Sequence, residues 1–121
     1  DHVSPWRSVY KANLFTDTDV TFCLSSGGHN VGVVNPPAIE PPGLGAEGRW
    51  YQITTHRADD RYVDPETWAA TTAKAAGSWW PAWEAWISGR SGDPVAPPPM
   101  GNPDAGFMPL DDAPGRYVQR P

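Results

Sequence analysis

One cysteine in 121 residues rules out an intrachain disulfide and a cysteine-based zinc site assembled from this chain alone, and it fits a reducing, cytoplasmic setting. Apolar runs extend for only a few residues, far below the roughly 20 that span a bilayer, and no basic-then-apolar leader opens the chain. A chain without a membrane span is therefore expected. The nine Lys and Arg are scattered and outnumbered by 14 Asp and Glu, for a net charge of −5. With no basic stripe to neutralise a run of phosphates, nucleic acid is excluded as an expected partner. No internal repeat is visible.

Proline, glycine and aromatic residues are abundant: 15 Pro and 12 Gly sit beside seven Trp, four Tyr and three Phe. The aromatics supply a large apolar payload, while the Pro and Gly content approaches that of low-complexity chains. The length allows one domain or part of a larger one. Asp1-His2-Val3-Ser4-Pro5-Trp6 has neither an initiator Met nor the composition of a frayed terminus, which predicts a chain cut from something longer.

Residues 5–15 are expected to form a short amphipathic helix with Ser4 as cap and Pro5 in its first turn. Val20-Thr21-Phe22-Cys23-Leu24 has the β-branched, aromatic composition of a strand. The turn chemistry of Ser25-Ser26-Gly27-Gly28-His29-Asn30 then places His29 on a tight loop past that strand, its glycines allowing positive φ and close backbone approach. Residues 36–48 predict an irregular loop, and Trp50 to Thr55 alternate like a half-exposed edge strand. Asp64-Pro65-Glu66 starts a helix expected to run through Ala76 and stop at Gly77. Ser78 is expected to cap a second helix over 79–89, whose Trp79, Trp83 and Trp86 line one face to be buried. The expected organisation is a folded part over 1–90 and an extended Pro/Gly-rich tail over 91–121.

Asp1, a helix, a strand and a glycine-rich loop bearing His29 follow the order that closes an α/β-hydrolase domain, where acid precedes His along the chain. In such a pair the carboxylate meets the imidazole Nδ1–H and fixes its tautomer, which leaves Nε2 to take a nucleophile's proton. A His on a glycine-rich loop is more often a surface or backbone-satisfying residue, so the spacing by itself leaves both readings open.

Four motifs favour catalysis. Asp1-His2-Val3-Ser4-Pro5-Trp6, Ser26-Gly27-Gly28-His29-Asn30-Val31-Gly32-Val33-Val34-Asn35-Pro36-Pro37, Gly77-Ser78-Trp79-Trp80-Pro81-Ala82-Trp83 and Ala113-Pro114-Gly115-Arg116-Tyr117-Val118 together resemble the C-terminal region of polyhydroxyalkanoate synthases. The resemblance covers nearly the whole chain and implies an α/β fold class: a C-terminal fragment of an α/β-hydrolase fold with its last strand, His loop, flanking helices and Pro-rich tail. It implies an acyltransferase that polymerises (R)-3-hydroxyacyl-coenzyme A into polyester with release of coenzyme A. It also implies Asp1 and His29 as acid and base of a Cys-His-Asp triad, the Cys lying in a G-x-C-x-G elbow upstream of this chain. The fragment alone is accordingly expected to be inactive.

The same resemblance makes the rest of the synthase chain, the growing polyester and a second copy of the chain the expected partners, at the surface of a cytoplasmic polyester granule. The coenzyme A thioester is substrate, and neither a cofactor nor a metal is called for. His2 and Asn30 are weaker candidates for substrate binding. Cys23, mid-strand without elbow glycines, is expected to act as a small buried hydrophobe. Ser25 and Ser26 are expected to bond the local backbone, and His56 with Asp59 and Asp60 to form a solvated charged loop. An esterase or thioesterase would use the same Asp and His, and a non-catalytic interaction module would leave them incidental.

Overall fold

The computed structural model describes residues 1–37 and 48–119. Most of the loop expected over 36–48 falls outside the described residues. Two units are distinguished, Asp1–Ser91 and Gly92–Pro121.

The first unit is a small α/β assembly built on a three-stranded antiparallel sheet of order β1-β2-β3. Strand β1 is Val20–Ser25, β2 is Trp50–His56 and β3 is Ala75–Ala76. Val20 pairs with His56 and Ser25 with Tyr51, while Trp50 and Tyr51 pair with Ala76 and Ala75. The expected strand over 20–24 is present. The strand over 50–55 lies in the middle of the sheet, contrary to its expected edge place, because the chain beyond residue 71 extends and adds β3 to its free side.

Alternation along β1 and β2 divides the sheet into two faces. One carries Phe22, Gln52 and Thr54 and receives two helices, α1 over Trp6–Tyr10 and α3 over Pro65–Thr71. Trp6, Tyr10, Phe22 and Trp68 form the core there, with ring centroids 5.0 Å apart for Tyr10–Phe22, 5.1 Å for Phe22–Trp68 and 5.5 Å for Tyr10–Trp68. Such aromatic pairs contribute about 0.5–1.5 kcal/mol each beyond the area they bury. The Trp68 indole N–H donates to Thr54 Oγ1 at 2.6 Å, so the ring's polar tip is satisfied as well as its body.

The helix expected over 5–15 tightens after Tyr10 into a 3-10 turn, Lys11–Leu14. Helix α3 begins where its sequence says: Asp64 accepts from the Thr67 amide at 2.9 Å and the Thr67 hydroxyl at 2.6 Å, with Pro65 in the first turn. It ends at Thr71, short of the expected Ala76. Buried Gln52 explains the stop, since its Nε2 donates to Ala69 O at 2.8 Å and Thr72 O at 2.5 Å, taking up carbonyls the helix leaves open.

The opposite face carries Thr21, Cys23 and Ile53 and is covered by α4, Trp80–Ser88. Trp79, Trp83 and Trp86 do turn toward the sheet, where they bound a cavity of about 250 Å³ with those three residues. They are not buried, as Trp83 keeps 50% of its surface exposed. One helix laid on a narrow sheet leaves the outer half of its indole stripe in solvent.

In the second unit Asn102 accepts from the Ala105 amide and pairs with Phe107 around a turn closed by left-handed Gly106. Arg116 pairs with Asp111 at 2.7 Å. Among the described residues no helix is long and apolar enough to cross a membrane.

Candidate active site

Strand β1 ends at Ser25, and the next eight residues coil back on themselves. Gly27 has φ of +112° and passes so close to Gly32 that a Cβ added to it would lie 3.0 Å from the Gly32 nitrogen. Gly28 has φ of −85° and ψ of −169°, ordinary extended backbone, with open space where a Cβ would point. The two glycines thus differ: the first is required by conformation and by close approach, the second by neither. His29 then opens a five-residue helix, α2, His29–Val33, where a loop position was expected.

Within this coil Ser25 Oγ donates to Gly32 O at 2.8 Å and Ser26 Oγ accepts from the Trp50 amide at 2.9 Å. Ser25 bonds nearby backbone, as its sequence context suggested, whereas Ser26 bonds the backbone of β2, 24 residues away, and not a local group.

Asp1 and His29, 28 positions apart, meet with Asp1 Oδ2 2.8 Å from His29 Nδ1. The other carboxylate oxygen, Oδ1, accepts from the amides of Val3 at 2.8 Å and Ser4 at 3.1 Å, which fixes the carboxylate plane. The Asp1 side chain is 21% exposed and that of His29 53% exposed. An ionised carboxylate only accepts hydrogen bonds, so this contact makes Nδ1 the protonated nitrogen and leaves the free lone pair on Nε2.

Both side chains border a cavity of about 490 Å³ that also touches Trp6, Leu24, Gly28 and Trp50. Of the two weaker candidates, His2 and Asn30 are exposed. Neither side chain hydrogen-bonds a described residue, and neither borders this cavity.

Cys23 is half-buried in β1, and burial pushes its thiol above the ordinary range. A thiol held protonated is a poor nucleophile. Around His56, Asp60 accepts from the Arg57 amide at 2.8 Å and Asp19 from the Ala58 amide at 3.2 Å. Among the described residues no three His, Cys, Asp or Glu side chains gather as a metal ion would require.

Reading the sequence alone missed how Ser78, Trp79 and Trp80 touch the His29 helix. The Trp79 indole N–H donates to Gly32 O at 2.9 Å and that of Trp80 to Val33 O at 2.9 Å, while the Ser78 hydroxyl donates to Asn35 O. The signal was present: a half-buried Trp needs an acceptor for its N–H, and a short helix needs donors for its last carbonyls.

No protein-family model matches the chain. Curated relatives do. The chain is 35% identical over 119 residues to poly(3-hydroxyalkanoate) polymerase 2 of Ectopseudomonas oleovorans, covering 98% of this chain and 19% of the relative. It is 34% identical over 121 residues to the poly(3-hydroxyalkanoate) polymerase subunit PhaC of Cupriavidus necator, covering 98% and 18%. With the PhaC subunit of Rhizobium etli it shares 38% identity over 119 residues, covering 98% and 16%. The chain therefore spans less than a fifth of the length of these relatives. Along nearly all of its own length, the chain matches a C-terminal segment of the poly(3-hydroxyalkanoate) polymerases.

Proposed function

We propose that this chain supplies the acid and the base of the acyl-transfer site of a polyhydroxyalkanoate synthase with an α/β-hydrolase fold. The observation that carries the reading is the 2.8 Å contact between Asp1 Oδ2 and His29 Nδ1 at the border of an open cavity. His29 Nε2 takes the proton of a cysteine thiol supplied by another part of the synthase. The thiolate adds to the thioester carbonyl of an (R)-3-hydroxyacyl-coenzyme A, and the coenzyme thiol leaves with the proton that His29 returns. A 3-hydroxyl then gives its proton to the freed Nε2 and attacks the acyl-enzyme, so the ester forms as the cysteine is released. Asp1 holds the tautomer and stabilises the imidazolium at each proton transfer.

Every step closes on acid, base and nucleophile, and none calls for a cofactor or metal. The proposed partners are the remaining synthase chain, a second copy of it and the growing polyester, at a granule surface in the cytoplasm. His2 and Asn30 remain proposed contacts for substrate outside the cavity described above. The 1–90 part is proposed to complete the catalytic domain, with 91–121 as its tail.

The test is coenzyme A release from 3-hydroxybutyryl-coenzyme A by a synthase carrying this segment. General-base assistance is worth about 10²–10⁴-fold, so His29→Ala should lose at least that much, and the 121-residue chain alone should release none. Undiminished release by the His29→Ala synthase refutes the assignment. Release that yields free 3-hydroxybutyrate in place of polymer identifies a thioesterase.

A further inference from the structure

We propose that Ser78, Trp79 and Trp80 are positioning residues for His29, a role that rests on reading His29 as the base. The argument starts from how little else holds the imidazole. Its ring is 53% exposed and, among the described residues, makes one hydrogen bond, to Asp1. Its direction therefore depends on where α2 places the His29 backbone. Helix α2 is five residues long, and a helix of that length is unstable alone because nucleation costs more than so few bonds return. Its last carbonyls also have no partner within the helix.

Ser25 Oγ meets Gly32 O and the Asn35 amide meets Val33 O, and three consecutive residues add a second donor to each and a donor to Asn35 O. Gly32 O, Val33 O and Asn35 O accept from Trp79 Nε1, Trp80 Nε1 and Ser78 Oγ in turn. The Trp80 amide donates to Ser78 Oγ at 3.1 Å, which directs the hydroxyl proton away from that amide and toward Asn35 O. Asn35 is itself fully buried, its Oδ1 accepting from Arg49 Nη1 at 2.6 Å. The receiving end is thus rigid.

The donating end is tied to the sheet. Trp86, on the same helix α4, donates its indole N–H to Thr21 Oγ1 at 3.0 Å, and that hydroxyl is 2.8 Å from Thr55 Oγ1 on β2. A chain of bonds therefore runs from the two paired strands through α4 to the C-terminal end of α2. The close approach of Gly27 to Gly32 fixes the other side of the coil. Without the three donors only Ser25 Oγ and the Asn35 amide still hold Gly32 O and Val33 O, the helix end frays more readily, and His29 Nδ1 leaves Asp1 more often.

The experiment reads the imidazole directly. The 121-residue chain is labelled with ¹⁵N-histidine, and the ring nitrogens of His29, assigned through His29→Gln, report the ratio of Nδ1–H to Nε2–H tautomers at about pH 9, where imidazole is neutral. The Trp79→Phe/Trp80→Phe pair keeps the aromatic surface and removes both N–H donors; it should lower that ratio at least ~3-fold. Ser78→Ala should lower it and Ser78→Thr, which keeps the hydroxyl, should restore it. Trp86→Phe is the comparison: it removes an indole bond one step further back along the same chain of bonds and should lower the ratio by less than the Trp pair does.

An unchanged ratio in the Trp pair overturns the proposal, and so does an equal fall in Trp86→Phe, which would mark general loosening. If the pair fails to fold, Trp80→Phe and Ser78→Ala each remove one donor, and an unchanged ratio in both overturns it equally. In the synthase the Trp pair should lower kcat about 10-fold at nearly constant KM, as is usual when support behind a reacting group is lost. A synthase still active with His29→Ala sinks the catalytic reading while leaving the tautomer result standing, so the two failures are distinguishable.

Discussion

Replacing Gly27 by Ala should damage the His29 coil, whereas the same change at Gly28, one residue on, should not. At Gly27 the φ of +112° is one that residues with a side chain rarely adopt, and holding one there costs about 1–3 kcal/mol. The new Cβ would also stand 3.0 Å from the Gly32 nitrogen and 3.3 Å from its Cα. Those neighbours are backbone and cannot swing aside, so overpacking adds about 1–3 kcal/mol unless the coil opens. A total of about 2–6 kcal/mol is expected for Gly27→Ala. Gly28→Ala meets nothing within 4 Å at an ordinary φ of −85° and should fall within about ±0.5 kcal/mol.

Urea unfolding followed by the fluorescence of the seven tryptophans measures the global term. The His29 ring shifts, recorded on the same samples, show whether the coil opens locally and drops the Asp1 contact before the sheet melts. Equal free energies for the two variants, with unchanged His29 shifts in both, would refute the distinction drawn between these glycines.

Gln52→Ala removes both donors from Ala69 O and Thr72 O; leaving such half-buried carbonyls unpaired costs up to about 1–3 kcal/mol, measurable by denaturant midpoint, and amide exchange should rise first in α3. Alkaline pH should destabilise the chain. Burial raises Cys23 from an ordinary 9.0, and burial first, then the charges of Tyr62 and Asp64, raises Tyr10 from 10.0. Both groups hold their protons more tightly folded than unfolded, so this stability is complete below about pH 9 and is lost as pH rises through the raised values. Melting temperatures that stay level from pH 8 to about 11 would contradict it, and Cys23→Ser should remove the earlier part of the fall.

Some of this structure was legible in the residues. The Val20 to Leu24 run is a strand because β-branched and aromatic side chains suit a pleated surface, and Asp64-Pro65 starts a helix because both act locally. The meeting of Asp1 and His29 was legible only through motif resemblance, since nothing local dictates a contact 28 positions long. What escaped was set by tertiary partners. Ala75 and Ala76 have helix-forming side chains, yet pairing with Trp50 and Tyr51 makes them a strand. The stop at Thr71 depends on Gln52, 17 residues earlier than Ala69. The indole stripe suggested burial, but indoles also donate, and hydrogen-bonded Trp79, Trp80 and Trp86 act as struts with part of each ring in water.

The short separation between Asp1 and His29 has a bearing on inheritance. With the roles proposed for Asp1 and His29, acid and base travel together on one brief stretch of gene, so a crossover outside it exchanges whatever attacks the substrate without ever parting the two groups that manage its proton. Chimeras joined ahead of Asp1 should thus keep the pair intact, and the fit of the junction alone should decide which of them work.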